Sequence, residues 1–340
     1  MSGGYAVNDS DGAPNGDRLR DGMSVDVVIV CHVENGYATS RSVIFEKRRR
    51  EGSIDGVRNA ILLSDRVGAT ISFVIMPEVL EAFDGFDFMN NEIGLHIHPE
   101  DLLLMEKGLG GFHRPLREYG FEEQRSMISV GKQLVIDSLG ITPRTFVAGK
   151  WSVGNETVRA LVELGFTHDA SACPQFSGGS CDWTRLPRIC MPYRPSRYDY
   201  QTTGDMQITM VPVSKEITSG ILGPENTAGL GLLKAALHEY VDLGVPFLHI
   251  AFHSPAMISR HYRDVFSRLL RWTSDLGGNF RRLSEIQPVR AEIPPNARRL
   301  SPYLMNADTS TLSHVLLHAI KNPRHALDRL RHQLAREPEN

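Results

Sequence analysis

Val25-Asp26-Val27-Val28-Ile29-Val30-Cys31-His32-Val33-Glu34 is the stretch on which the fold turns. Residues 25–31 are apolar except for Asp26, and most are β-branched. A near-continuous apolar run of that length suits a strand covered on both faces, as in a parallel sheet. The run then delivers His32 and Glu34. Side chains two apart on a strand share a face, so these two point together and Cys31 points away.

Working outward, the same strand pattern recurs at Thr70–Met76, at the segment ending in His98, and at Arg144–Ala148, Phe166–Asp169, Gln207–Val213, Val245–His253 and Asn279–Arg282. Helical periodicity is read over 55–68, 121–139, 154–164, 225–243 and 258–276, with Gly140 and Gly165 closing two of these. Strands alternating with helices predict the α/β class and a parallel sheet with helical crossovers. Seven or eight such units predict a closed or nearly closed (β/α)7-8 barrel, whose functional groups lie where strands end and loops begin. His32, Glu34, His96, His98, Asp169 and His253 all occupy such ends.

The second informative stretch is Asn91-Glu92-Ile93-Gly94-Leu95-His96-Ile97-His98-Pro99-Glu100. Pro99 stops the strand, and His96 and His98 present two imidazoles on one face. That is a direct way to offer two nitrogen ligands to one metal ion.

A chain of 340 residues can hold one barrel of about 250 residues plus tails. The expected domains are a disordered leader (1–23), the barrel (24–290) and a helical C-terminal appendage (291–340). That appendage reads as two short amphipathic helices split by Pro323, packed on the barrel or on a sister subunit, so a homo-oligomer is allowed. Net charge is −3 and the pI is near 6.5, which gives no electrostatic footprint for nucleic acid. No spanning apolar run and no signal-peptide pattern are present, so a cytoplasmic protein is expected. Cys31, Cys173, Cys181 and Cys190 fit no zinc ribbon or redox pair and are expected as reduced thiols, with a Cys173–Cys181 disulfide as the alternative.

Over residues 24–285 the chain resembles the NodB-homology polysaccharide deacetylases, carbohydrate esterase family four. Val30–Glu34 resembles the strand-one Asp motif as a D-x-E variant. Glu92–Pro99 resembles the metal-binding histidine motif, and Phe146–Gly154 (FVAGKWSVG) the "FRAGRWS" turn. His168-Asp169-Ala170-Ser171 resembles the "YDSS" strand, and Phe252-His253-Ser254-Pro255 the closing catalytic-histidine motif. The resemblance implies a distorted barrel of the deacetylase type. It implies removal of an acetyl group from the amide nitrogen of an amino sugar, with zinc or another divalent transition metal.

Two imidazoles, one carboxylate and an open position form a common catalytic zinc set, so Glu34, His96 and His98 are the expected ligands, with Glu100 in reserve. The resemblance makes His253 the general acid, with Asp169 beside it to hold it or raise its pKa. Two departures stand out. The family's Asp base is replaced by His32, and the Arg that pairs with it is replaced by Val147. His32 is expected to be the base itself or a further ligand; loss of the base and of activity is the rival. Lys150, Trp151 and Arg114 are candidate substrate contacts. Arg117 and the run Lys47–Arg50 on a loop at the barrel mouth are weaker ones. Trp183 and His249 are expected in the core. The expected substrate is a small molecule or oligosaccharide: an N-acetylated amino sugar, soluble or nucleotide- or lipid-linked. The alternatives are a non-sugar amide, imide or formamide, or an inactive binding protein.

Overall fold

The computed structural model describes residues 25–35, 44–112, 114–216, 220–226 and 229–289, with 44–52 in backbone only. The expected leader and the expected C-terminal appendage lie outside the described residues.

Strands β1 (Val25–Val33), β2 (Ser72–Ile75), β3 (Glu92–Ile97), β4 (Thr145–Ala148) and β5 (His168–Asp169) pair in parallel, each with the next. A small antiparallel hairpin, β6 (Ser177–Gly178) with β7 (Cys181–Asp182), stands apart. β8 (Thr209–Met210) pairs with β5, and β9 (Phe247–His253) returns to the far edge of β1. β10 (Gly278–Arg281) pairs with Val25–Val28, below the point where β2 takes over at Val30–Val33. The two edges of this curved sheet meet through an irregular seam. Ser214 N–H donates to the His249 carbonyl (3.1 Å) and Ala251 N–H to the Leu222 carbonyl (3.2 Å). The result is the distorted α/β barrel that the strand–helix alternation predicts.

Burial explains the strands. Every residue of β1 but Asp26 is buried, with the barrel interior on one side and helices on the other. Those helices are α1 (Ile44–Asp65), α3 (Phe121–Leu139), α4 (Asn155–Glu163), α5 (Leu230–Asp242) and α6 (Arg260–Asp275). α3 has the bounds read from its periodicity. Glu123 accepts the Gly120 N–H at its start (2.7 Å), and Gly140 at its end takes the left-handed conformation (φ 67°). None of the helices among the described residues is long and apolar enough to cross a membrane.

Three expectations are corrected. α1 starts at Ile44, not near 55, so Lys47–Arg50 belong to a helix rather than a mouth loop. Gly52 and Ser53 look like helix breakers locally, but tertiary packing overrides propensity. The Ser53 hydroxyl donates to the Glu34 carbonyl (2.6 Å), and Gly56 lets the helix lie against Ser254. The segment 99–120, which its glycines and Pro115 lead one to read as a loop, is not all loop, because Asp101 caps a short helix, α2 (Leu102–Glu106), through the Leu104 N–H (3.1 Å). The strand expected over 207–213 is regular only at Thr209–Met210, although Val211 and Val213 continue the pairing by donating to the Asp169 and Ala172 carbonyls. All four cysteines are free, so the Cys173–Cys181 disulfide is not formed.

A Cβ at Gly56 would stand 1.9 Å from the Ser254 carbonyl oxygen. Ala is the better helix former by about 1 kcal/mol, yet overpacking costs about 1–3 kcal/mol. Gly56→Ala is therefore expected to lower stability in urea unfolding, against the sign of helix propensity.

Candidate metal centre

Glu34, at the end of β1, and His96 and His98, at the end of β3, meet in the barrel mouth. All three are buried. Each imidazole Nε2 lies 3.3 Å from Glu34 Oε2, and the two Nε2 atoms are 3.1 Å apart. One ligand atom from each residue falls within 4.8 Å of the other two.

The outer hydrogen bonds decide which lone pairs face inward. His96 Nδ1 lies 2.9 Å from the Val147 carbonyl, which can only accept. The proton of a neutral His96 therefore sits on Nδ1, and Nε2 carries a bare lone pair. His98 Nδ1 faces Glu100 Oε1 at 3.4 Å, with the same consequence. Two imidazole lone pairs and a carboxylate oxygen thus converge on one buried point. That arrangement is repulsive unless a cation sits within it, and the donor set is the one a divalent transition metal takes. A proton can be that cation, taking the place of the Nε2 lone pair on His98. Burial opposes charge on His98, but Glu100 and Glu34 raise its pKa to about 9. Burial lowers that of His96. Burial also works against the Glu34 carboxylate, yet His96 and His98, which bond it when protonated, hold its pKa below the ordinary range. Gly149 leaves room for this ring: a Cβ there would lie 2.4 Å from His98.

His32 packs its ring 5.0 Å from those of His96 and His253, and 5.1 Å edge-on from Trp151. Its Nε2 is buried with no hydrogen-bond partner among the described residues, as is Glu34 Oε1. Burial, then the neighbouring His253 and His96, push its pKa well below the usual value, so His32 is neutral. His253 presents Nε2 to Glu34 Oε1 at 3.7 Å. Its Nδ1 (2.9 Å) and its backbone N–H (2.8 Å) both go to Glu225 Oε2. Burial opposes charge on His253, but Glu225 and then Glu34 raise its pKa overall.

The structure therefore corrects the expectation that Asp169 holds His253; that carboxylate is Glu225. Asp169 Oδ1 instead accepts from the backbone N–H (2.9 Å) and hydroxyl of Ser171, whose Oγ accepts the Ala148 N–H (2.8 Å). Asp169 braces the ends of β4 and β5. Sequence reading missed Glu225 because 225–243 reads as one helix, whereas α5 starts only at Leu230 and Glu225 lies in the irregular stretch before it.

The reserve ligand is corrected too. Glu100 bonds the outward nitrogen of His98, so it orients that ring, and Lys150 pairs with it. Lys150 and Trp151 both hold left-handed backbone (φ 54° and 57°), a strained turn that sets the Trp151 ring against His32. Arg114 is committed to its own loop: it stacks on Tyr119 (4.2 Å), donates to the Glu118 carbonyl and lies 3.7 Å from Glu123. Trp183 is buried and donates to the Trp151 carbonyl (2.9 Å). His249 is a core histidine bonded to the Val211 carbonyl (3.2 Å). A cavity of about 310 Å³ opens beside the centre, lined by His32, Trp151, Ile221, Glu225, Phe252 and His253 among others.

No family model matches the chain, and no curated protein does. Solved structures do match. One is a Mycobacterium smegmatis chain assigned as a polysaccharide deacetylase, with TM-score 0.51 and 16% identity over 80% of this chain and 96% of that one. The fold is that of the polysaccharide-deacetylase barrel. PuuE allantoinase has TM-score 0.54 and 14% identity, covering 77% of this chain and 88% of its own. A Parabacteroides distasonis chain assigned as a glycoside hydrolase/deacetylase has TM-score 0.50 and 13% identity, with 78% and 71% covered. At these identities the likeness is one of fold.

Burial raises the Asp169 pKa from 3.8 to about 7. Below about pH 4 both folded and unfolded forms are protonated there. Between about pH 4 and 7 only the folded form keeps the proton, so stability falls as pH rises through that window. Asp169→Asn keeps the acceptor for Ser171 and is expected to flatten that fall in urea midpoints measured across the window.

Proposed function

We propose that the chain is a metal-dependent hydrolase that cleaves a non-peptide amide, with an N-acetylated amino sugar as its first substrate class. The observation that carries this reading is the convergence of Glu34 and two tautomerically fixed imidazoles beside the His253–Glu225 pair. Glu34, His96 and His98 would hold the ion, zinc or another divalent transition metal. When bound there, such an ion supplies Lewis acidity, polarising a carbonyl and making water a usable nucleophile.

The chain's own residues supply the proton transfers. His253 is held at Nδ1 by Glu225 and directs Nε2 toward the centre. Against the effect of burial, its pKa is raised by Glu225 and Glu34, which favours the charged form that gives a proton to the departing amine. His32 stays neutral and offers an unpartnered Nε2, so it accepts a proton as base or joins the ligand set. Trp151 forms an apolar wall for a sugar ring or acyl group. Lys150 acts on His98 through Glu100 rather than on substrate. A cytoplasmic site of action and a soluble or nucleotide- or lipid-linked sugar belong to the same proposal.

A second reading keeps the chemistry and changes the substrate to a small non-sugar amide or imide. The modest cavity at His253 and the fold shared with PuuE allantoinase favour it.

Purified protein is expected to carry about one equivalent of divalent metal, which His96→Ala loses. His253→Ala is expected to keep the metal while turnover falls by about 10²–10⁴. Acetate release from N-acetylglucosamine derivatives supports the first reading, and acetate-free cleavage of imides or formamides the second. Unchanged turnover in His32→Ala removes His32 from the mechanism. Wild-type protein that takes up no metal overturns the proposal.

A further inference from the structure

Glu34 and His98 stand on strands that are not neighbours. β2 lies between β1 and β3, so the backbones that carry these ligands are about 10 Å apart. The end of β2 contributes no donor to the Glu34–His96–His98 group. It contributes Glu78 instead. One oxygen of Glu78 accepts from the side-chain amide of Asn35, the residue after ligand Glu34. The other accepts the Leu102 N–H at 3.0 Å, at the start of α2. The tie is returned: Asp101 Oδ2 accepts the Glu78 N–H (3.0 Å) and its Oδ1 the Leu104 N–H (3.1 Å). Asp101 is fully buried, and its own N–H donates to the His98 carbonyl (3.0 Å).

We propose that Glu78 is a positioning residue of the metal centre, clamping the β1 loop to the β3 loop so that Glu34 meets His96 and His98. This rests on the metal-centre reading above. A carboxylate suits the task because it has two acceptor oxygens and can take one N–H from each side. Both loops leave their strands at the ligands themselves. Without the clamp, each ligand set would have to be ordered at the moment the ion binds, and that ordering subtracts from affinity. A plain helix cap would do less: it would stabilise α2 and leave the ion indifferent to Asn35.

Asn35→Ala separates the two roles, since it removes the arm toward Glu34 and leaves both helix-capping bonds of Glu78 and Asp101 in place. The measurement is zinc affinity by competition with a chromophoric chelator, on full-length protein stripped and reloaded, alongside thermal unfolding of the stripped protein. Loss of an outer-shell partner weakens a metal site by about 10–100-fold, and that loss is expected for Asn35→Ala with little change in unfolding temperature. Glu78→Ala is expected to weaken zinc by a similar factor, and the double variant no further than Glu78→Ala alone. Glu78→Gln, which keeps one acceptor oxygen, is expected to fall between. Zinc affinity within about twofold of wild type in Asn35→Ala and Glu78→Gln, or additive losses in the double variant, overturns the clamp and leaves the metal centre standing. Wild-type protein that binds no zinc removes the metal-centre reading, and the clamp with it.

Discussion

Three electron-pair donors aimed at one buried point form the constraint from which most of this molecule's mouth can be derived. Glu34, His96 and His98 are held so close that neither imidazole can turn its lone pair away without losing the partner on its other nitrogen. Those partners are a backbone carbonyl and a carboxylate, which accept and never donate. Repulsion among the three donors would spread an isolated cluster, so the scaffold must resist it. α1 does so from behind, through Ser53 on the Glu34 carbonyl and Gly56 against Ser254, the residue after His253. One helix thus backs both Glu34, at the end of β1, and His253, at the end of β9. Gly149 does the same from the front, admitting the His98 ring where any side chain would expel it.

This also explains which parts of the site can be read along a chain. Strand period puts His32 with Glu34 and His96 with His98, and the structure keeps each pair on one face of its strand. The buried run Val25–Cys31 and the helix ending at Gly140 are equally legible, because burial and capping are properties of neighbours in sequence. Glu225 is not legible in this way. It approaches His253 from 28 residues away, in residues whose periodicity reads as the start of a helix that in fact begins at Leu230. Asp169 is the converse case. Its place at a strand end is read correctly, but proximity in the sheet does not select its partner, and Ser171, two residues on, captures it first. The start of α1 is hidden for a related reason: Gly52-Ser53-Ile54 reads as a break, and only the contacts with β1 and with the turn after β9 make it helix.

The charged residues at the mouth show the same limit. Lys150 and Arg114 invite a role in binding an anionic substrate when seen as cations on loops. Each instead has an acidic neighbour: Glu100 for Lys150, and Glu123, with the Glu118 carbonyl, for Arg114. A cation on a loop is informative only once its counter-ion is known, and the counter-ions here come from other segments of the chain.

The two positions where the sequence differs from the deacetylase pattern it resembles, His32 and Val147, fit together in this geometry. The contact that β4 makes with the centre runs through the Val147 backbone carbonyl, which any residue at that position would supply to His96. The Val147 side chain is buried and apolar, so position 147 supplies no guanidinium to hold an anionic base. An aspartate at position 32 would then be a second buried carboxylate beside Glu34, with no cation of its own. A histidine at that position carries no such burden. It stays neutral among His96, His253 and Trp151, and it keeps a lone pair directed into the site. Measured against the deacetylase pattern that the sequence resembles, a histidine at 32 and a valine at 147 are therefore one change in electrostatic terms. Either alone would leave a buried charge uncompensated; together they leave none.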